Sequence, residues 1–163
     1  MKKINVLIST FFGYGHLTKM PGTVASLVTT IFIYIAYEYL GYTDLRFSII
    51  FFVIIFFYSF YAVKDSESEF VNKDPRQIVI DEVLGQSMPL ILLLHLNQTN
   101  QISMQIEIYY IISFFVFRFF DIFKPFPVSY FDKNFKNYFG IIMDDIMAGF
   151  YTMFVIYLIS LKF

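Results

Sequence analysis

Two apolar runs constrain the fold more than anything else in this chain: residues 24–42 carry a single charged side chain, Glu38, and residues 47–63 carry none. Both lengths fall in the range of about 17–25 residues that crosses a bilayer as a helix. The polar residues 41–46 between them predict a turn, so the pair reads as a helical hairpin. Residues 105–117 and 146–161 predict two further apolar helices. Residues 83–96 are interrupted by Gln86, Ser87 and Pro89, which predicts a buried, kinked or partly inserted helix. The composition agrees: of 163 residues 58% are hydrophobic and 15% charged, against roughly 25% charged in a soluble domain. The expectation is one all-α domain over residues 1–163, a multi-helix bundle embedded in a membrane. Lys2 and Lys3 before an apolar stretch resemble a signal peptide, but Gly13 and Gly15 interrupt it and no small-residue cleavage site follows, so it is read as folded structure.

Against that background the charged side chains stand out. Arg118, Asp121 and Lys124 are spaced i, i+3, i+6, which on a helix over residues 117–123 predicts one face with two cations around one carboxylate. Asp144 and Asp145 adjoin the last apolar run, and Asp81 and Glu82 lie inside the apolar sequence 78–85. Adjacent helical positions point about 100° apart, so Asp81 and Glu82 cannot serve one point equally; one ligates while the other orients, bridges or acts as a base. Buried ion pairs that only steady helices would leave the same trace in a sequence, as would an acidic pair complementing a helix dipole. The glycine-rich stretch before residue 24 matches neither a P-loop nor a dinucleotide fingerprint. Its Pro21-Gly22-Thr23 predicts a turn, with Thr23 as helix N-cap and the free N–H groups at Gly22 and Thr23 open to phosphate. His16 and His95 are given no catalytic role.

The basic residues are unevenly spread among the connections. Lys2, Lys3 and Lys19 precede the first run, Lys64, Lys73 and Arg76 follow the second, and Arg118, Lys124, Lys133 and Lys136 follow the fourth, whereas the other loops hold only Arg46. Basic residues collect on the cytoplasmic side, so the acidic motifs converge on the cytoplasmic face. Net charge is −1 with no basic stripe, which excludes a nucleic-acid surface. With no cysteine, disulfides, thiolate metal sites and a thiol nucleophile are excluded as well.

Asp81, Glu82, Asp121, Asp144 and Asp145, without thiol or imidazole partners, describe a site for a hard, oxygen-liganded cation, and magnesium (Mg2+) suits it best. Arg118 and Lys124 would neutralise the oxygens of a bound phosphate, arginine with a bidentate grip. The reaction these residues suggest is attack on a metal-polarised phosphate by water or by a carboxylate, and a substrate at the bilayer surface would be a phospholipid headgroup. Two other classes fit the same residues: a small ion-coupled transporter using intramembrane carboxylates, and a non-catalytic membrane protein whose charges fix helix packing. Acids gathered at one face and the absence of an internal repeat weigh against transport.

Taken together, the motifs Phe12-Gly13-Tyr14-Gly15 through Pro21-Gly22-Thr23, Ile80-Asp81-Glu82 through Gly85, Phe117-Arg118-Phe119-Phe120-Asp121 through Lys124-Pro125-Phe126-Pro127, Phe131-Asp132, and Gly140-Ile141-Ile142-Met143-Asp144-Asp145 through Gly149 resemble the phosphatidylglycerophosphatase A family of bacterial lipid phosphatases. The resemblance implies a helical fold in the bacterial inner membrane and magnesium-dependent hydrolysis of phosphatidylglycerophosphate to phosphatidylglycerol and inorganic phosphate. It also implies that Asp81, Glu82, Asp121, Asp144 and Asp145 match the family's acidic positions.

Overall fold

Gly85 and Gly149 set the geometry at the centre of the molecule. A Cβ added to Gly85 would stand 2.5 Å from the Asp145 carbonyl oxygen, and one added to Gly149 would stand 2.6 Å from the Gly85 carbonyl oxygen, so two helix backbones meet there. In lipid, apolar side chains gain little by leaving the solvent, and small residues that let backbones approach take over as the source of helix association. Pro89, within the first of these helices, has no N–H to offer the Gly85 carbonyl four residues earlier. That oxygen faces Gly149 instead.

The computed structural model describes residues 2–16, 19–66, 69–70, 76–102 and 104–162, and every regular element among them is helical. In chain order these are α1 (Lys2–Ser9), α2 (Pro21–Tyr34) continued by a π-helical turn (Ile35–Tyr39), α3 (Leu45–Ser66), α4 (Ile80–Gln98), α5 (Ile106–Phe123), α6 (Val128–Asn134) and α7 (Tyr138–Lys162). The central helix is α4, packed against α2, α3, α5 and α7. Its Leu90, Leu93 and Leu96 meet Tyr109 of α5 and Ile156 of α7. Its Leu84 and Met88 meet Val63 of α3 and Ile142 and Ile146 of α7. A buried amide adds to this packing, with Gln86 Nε2 donating to Ser113 Oγ at 3.3 Å between α4 and α5. At the other side of the bundle α1 is fastened to α3, where Asn5 donates to Asp65 Oδ2 at 2.7 Å and accepts from Tyr58 Oη at 2.7 Å.

Two helices, α3 and α7, are long and apolar enough to cross a membrane. On α3 the side chains of Phe47, Ile50, Phe51, Ile54 and Phe57 are all exposed, an apolar face far too large for water to tolerate and suited to hydrocarbon. By contrast α7 has half of its apolar window buried and doubles as core.

Several sequence expectations are corrected. The first apolar run is not one straight span, because α2 gives way to the π-helical turn at Ile35 and ends by Leu40. The expected hairpin does not pack as one: α3 lies on α1, α4 and α7, whereas α2 lies on α4 and α5. Thr23 is not an N-cap, since Met20 holds that position and Pro21 starts the helix. The last helix begins at Tyr138 and not Ile146, which puts Asp144 and Asp145 about two turns inside it. Lys73, used in the charge-asymmetry argument, lies outside the described residues.

Candidate active site

Four helices bring their polar ends to one cavity of about 310 Å³: the start of α2, the start of α4, the end of α5 and the early turns of α7, with α6 alongside. All nine residues singled out from the sequence line it: Gly22, Thr23, Asp81, Glu82, Arg118, Asp121, Lys124, Asp144 and Asp145. They do not form one cluster. Carboxylate oxygens of Glu82, Asp121 and Asp145, one each from α4, α5 and α7, lie within 4.8 Å of one another. Asp81 and Asp144 flank this trio in the same cavity.

Arg118 holds two members of the trio. Its Nη1 donates to Glu82 Oε2 in a short ion pair and lies 2.9 Å from Asp121 Oδ2 one turn along α5. The same nitrogen is 3.4 Å from Ser26 Oγ, which itself donates to Glu82 Oε2 at 3.0 Å. Arg118 Nε is buried and has no acceptor among the described residues, so the guanidinium keeps a donor in reserve. Gly22 is where it is because Glu82 comes close: a Cβ there would stand 1.7 Å from Glu82 Oε1.

Lys124 does not share the helical face of Arg118 and Asp121, contrary to the i, i+3, i+6 expectation. It is the C-cap of α5, in the left-handed region at φ 44°, and Pro125 after it disfavours continuing the right-handed helix through this position. From there its Nζ reaches Asp132 Oδ1 of α6 at 2.8 Å and Asp144 Oδ2 of α7 at 2.7 Å. One ammonium thereby ties α5, α6 and α7 together.

In and behind the cavity stand residues that the sequence alone did not single out. Asp132 was visible only as part of Phe131-Asp132, with no spacing to mark it as the Lys124 partner. Ser26 carried a usable signal, standing one helical turn beyond Gly22 on the same side of α2. Lys19, Arg76 and Lys136 rim the opening. Among the described residues, Lys19 and Arg76 have no carboxylate within ion-pair distance, and Lys136 has only Asp132 at 3.9 Å.

Electrostatics explain what the trio can hold. Burial pushes the Glu82 carboxyl up to about 7, with Asp121 adding to the shift and Arg118 opposing it. Asp81 is raised well above the usual carboxylate range by burial, by Glu82 and by Asp144. Burial works against the Lys124 ammonium, yet Asp144 and Asp132 overcome it and hold the amine above its ordinary value. Asp132 is lowered because Lys124 outweighs its partial burial. Three crowded, largely buried carboxylates with one arginine between two of them are short of positive charge, and a hard cation with oxygen ligands fits that donor set.

A stability prediction follows from the signs. Between the ordinary carboxylate range and pH 7 the folded chain keeps protons on Asp81 and Glu82 that the unfolded chain has released, so stability falls as pH rises through that window. Asp132, lowered, and Lys124, raised, titrate outside it. In chelator, Tm in detergent is therefore expected to be lower at pH 8 than at pH 5, and added magnesium is expected to raise it more at pH 8. A chelated protein whose Tm rises from pH 5 to pH 8 would contradict the assignment of these groups as destabilised anions.

Fold and cavity define a helical protein with two helices long and apolar enough to cross a membrane and a charge-rich site where four helices meet. The family model described as phosphatidylglycerophosphatase A matches residues 7–160, and the chain belongs to that family. It is accordingly a phosphatase of lipid metabolism, a phosphoric monoester hydrolase. The chain is 33% identical to the phosphatidylglycerophosphatase A of Haemophilus influenzae over 98% of its own length and 94% of the relative's. It is 28% identical to the protein of that name from Escherichia coli over 94% of its length and 82% of the relative's. A Bacteroides thetaiotaomicron protein with the provisional name phosphatidylinositol-3-phosphatase is 34% identical over 93% of the chain and 90% of the relative. No solved structure matches the chain. Family membership displaces the transporter and packing-only alternatives.

Proposed function

We propose that the protein is a magnesium-dependent phosphatidylglycerophosphatase, removing the terminal phosphate of phosphatidylglycerophosphate at the cytoplasmic face of the bacterial inner membrane. The observation that carries this reading is the convergence of Glu82, Asp121 and Asp145 within 4.8 Å beside Arg118. Those three carboxylates would hold Mg2+, and a bound cation supplies neutralisation of the phosphoryl oxygens. The chain itself does the rest. Arg118 and Lys124 grip the phosphate, while the N–H groups of Gly22 and Thr23 precede the first helical bond of α2, from Val24 N–H to Met20 O at 3.2 Å, and have no acceptor among the described residues, which leaves them to an anion. Of the two flanking acids Asp144 is neutralised by Lys124, whereas Asp81 has no cation partner among the described residues. Asp81, buried beside the trio and lining the same cavity, is the group left to take a proton from the attacking water. The phosphorus–oxygen bond to glycerol breaks as water adds, leaving the alcohol and inorganic phosphate. Lys19, Arg76 and Lys136 at the rim meet the phosphodiester that joins the headgroup to diacylglycerol.

The length and apolarity of α3 and α7 and the charge asymmetry of the loops support a multi-pass arrangement with the cavity on the cytoplasmic side. The name of the Bacteroides relative favours a second substrate, a 3-phosphorylated inositol lipid, which also joins a phosphate monoester to a phosphodiester. The test is phosphate release from phosphatidylglycerophosphate, phosphatidylinositol 3-phosphate and phosphatidic acid, offered to inverted and to sealed right-side-out membrane vesicles. The first lipid is expected to be hydrolysed fastest, and only by inverted vesicles. Preference for the inositol lipid would overturn the substrate, and equal activity in sealed right-side-out vesicles would overturn the orientation.

A further inference from the structure

A second cavity, of about 340 Å³, runs between α2 and α5, and its walls are nearly all apolar. Two polar ties bracket it. Near the catalytic cavity Arg118 Nη1 donates to Ser26 Oγ at 3.4 Å, and at the far end Tyr34 Oη donates to Glu107 Oε1 at 3.2 Å. The helices therefore run antiparallel. The furrow between the ties is roughly 12 Å long measured along α2 from Ser26 to Tyr34, and about 16 Å along α5 from Glu107 to Arg118. Its lining side chains Leu27, Ile31, Ile111 and Phe115 are each at least 43% exposed, so the furrow opens sideways to whatever surrounds the bundle.

We propose that this furrow seats an acyl chain of the lipid substrate, an inference that rests on the lipid-phosphatase reading. The argument is continuity. Ser26 and Arg118, the side chains that hold Glu82, stand one residue before Leu27 on α2 and about one turn beyond Phe115 on α5, so the furrow begins beside the tie that backs the catalytic cavity. A lipid whose phosphate lies in the charged cavity must pass its tails into hydrocarbon, and the exit between α2 and α5 begins at the phosphate-binding end of both helices. The other large apolar surface, on α3, offers no such route, because no described α3 residue lines the catalytic cavity. At the far end Tyr34, Glu107, Tyr110 and Glu38 form a polar stop, with Tyr110 Oη at 3.5 Å from Glu38 Oε1. An apolar chain fits between the two polar ends and a charged ligand does not.

Two measurements test this. Leu27→Trp with Ile111→Trp fills the furrow from exposed positions and leaves the core untouched; Phe57→Trp on the exposed face of α3 is the control. The furrow variant is expected to raise KM for diacyl phosphatidylglycerophosphate on the order of tenfold, with kcat unchanged, while hydrolysis of the deacylated, water-soluble headgroup and the behaviour of the control stay at wild-type levels. Equal losses on lipid and soluble headgroup, or no change on either, would overturn the proposal. The second measurement is photo-crosslinking by phosphatidylglycerophosphate carrying a diazirine in one acyl chain. Labelling is expected on α2 and α5, suppressed by unlabelled substrate, and uniform labelling that substrate does not suppress would sink the furrow. Competed labelling without any turnover would instead retire the phosphatase reading while leaving the acyl site standing.

Discussion

Glu82→Gln, Asp121→Asn and Asp145→Asn, made one at a time, are each expected to cut phosphate release on the order of a thousandfold, with the folded protein in chelator at least as stable as wild type. The two halves of that expectation have one cause. Each substitution keeps side-chain volume and removes one of three negative charges crowded within 4.8 Å, so it relieves repulsion in the metal-free fold and destroys the donor set that the cation needs. Asp81→Asn separates from these three, because it stands outside the trio; it is expected to lower kcat severely while the rise in Tm with magnesium remains. If instead these carboxylates only steady helix packing, the trio variants would unfold at lower temperature and keep full activity per folded molecule. Turnover and Tm measured on the same preparations decide between the two.

Arg118→Ala is expected to be the most damaging change to stability in the site. The guanidinium is 14% exposed and bridges Glu82 and Asp121, and removing it leaves two close, mostly buried anions without their cation. Breaking a buried pair in this way costs about 3–5 kcal/mol. The loss should be partly reversed at pH 5, where Glu82 is protonated, and by magnesium at pH 8. Arg118→Lys keeps the charge for Glu82 and Asp121, which both meet the one nitrogen Nη1, but an ammonium offers no planar fork to phosphate. It should therefore fold well and lose less activity than the trio variants. Thermal unfolding of Arg118→Ala at the wild-type temperature, at pH 8 in chelator, would show that the bridge carries no such weight.

The residue types of the site were legible in the sequence because charge is costly in an apolar chain, so Asp81, Glu82, Arg118, Asp121, Asp144 and Asp145 could be picked out without knowing which helices meet. Their sorting was not. Helical periodicity put Lys124 beside Asp121, and only the following proline, which was in plain view at Pro125, explains why the helix stops at Phe123 and the lysine turns to Asp132 and Asp144. The expected hairpin failed for a related reason: chain neighbours with similar hydrophobicity need not pack together, and close approach is set by residues such as Gly85 and Gly149, which bring α4 and α7 together instead. A glycine's partner lies far away in sequence, which no local pattern reveals. Gly22 shows the same limit, since its closeness to Glu82 is a tertiary fact.

Phosphate released from phosphatidylglycerophosphate by the purified protein, first in chelator and then with magnesium restored, tests the central claim most directly, because the proposed role of the carboxylate trio is to hold the cation. Release should be absent in chelator and return in full with magnesium. Release in chelator at the rate seen with magnesium would contradict the metal-dependent site built on Glu82, Asp121 and Asp145.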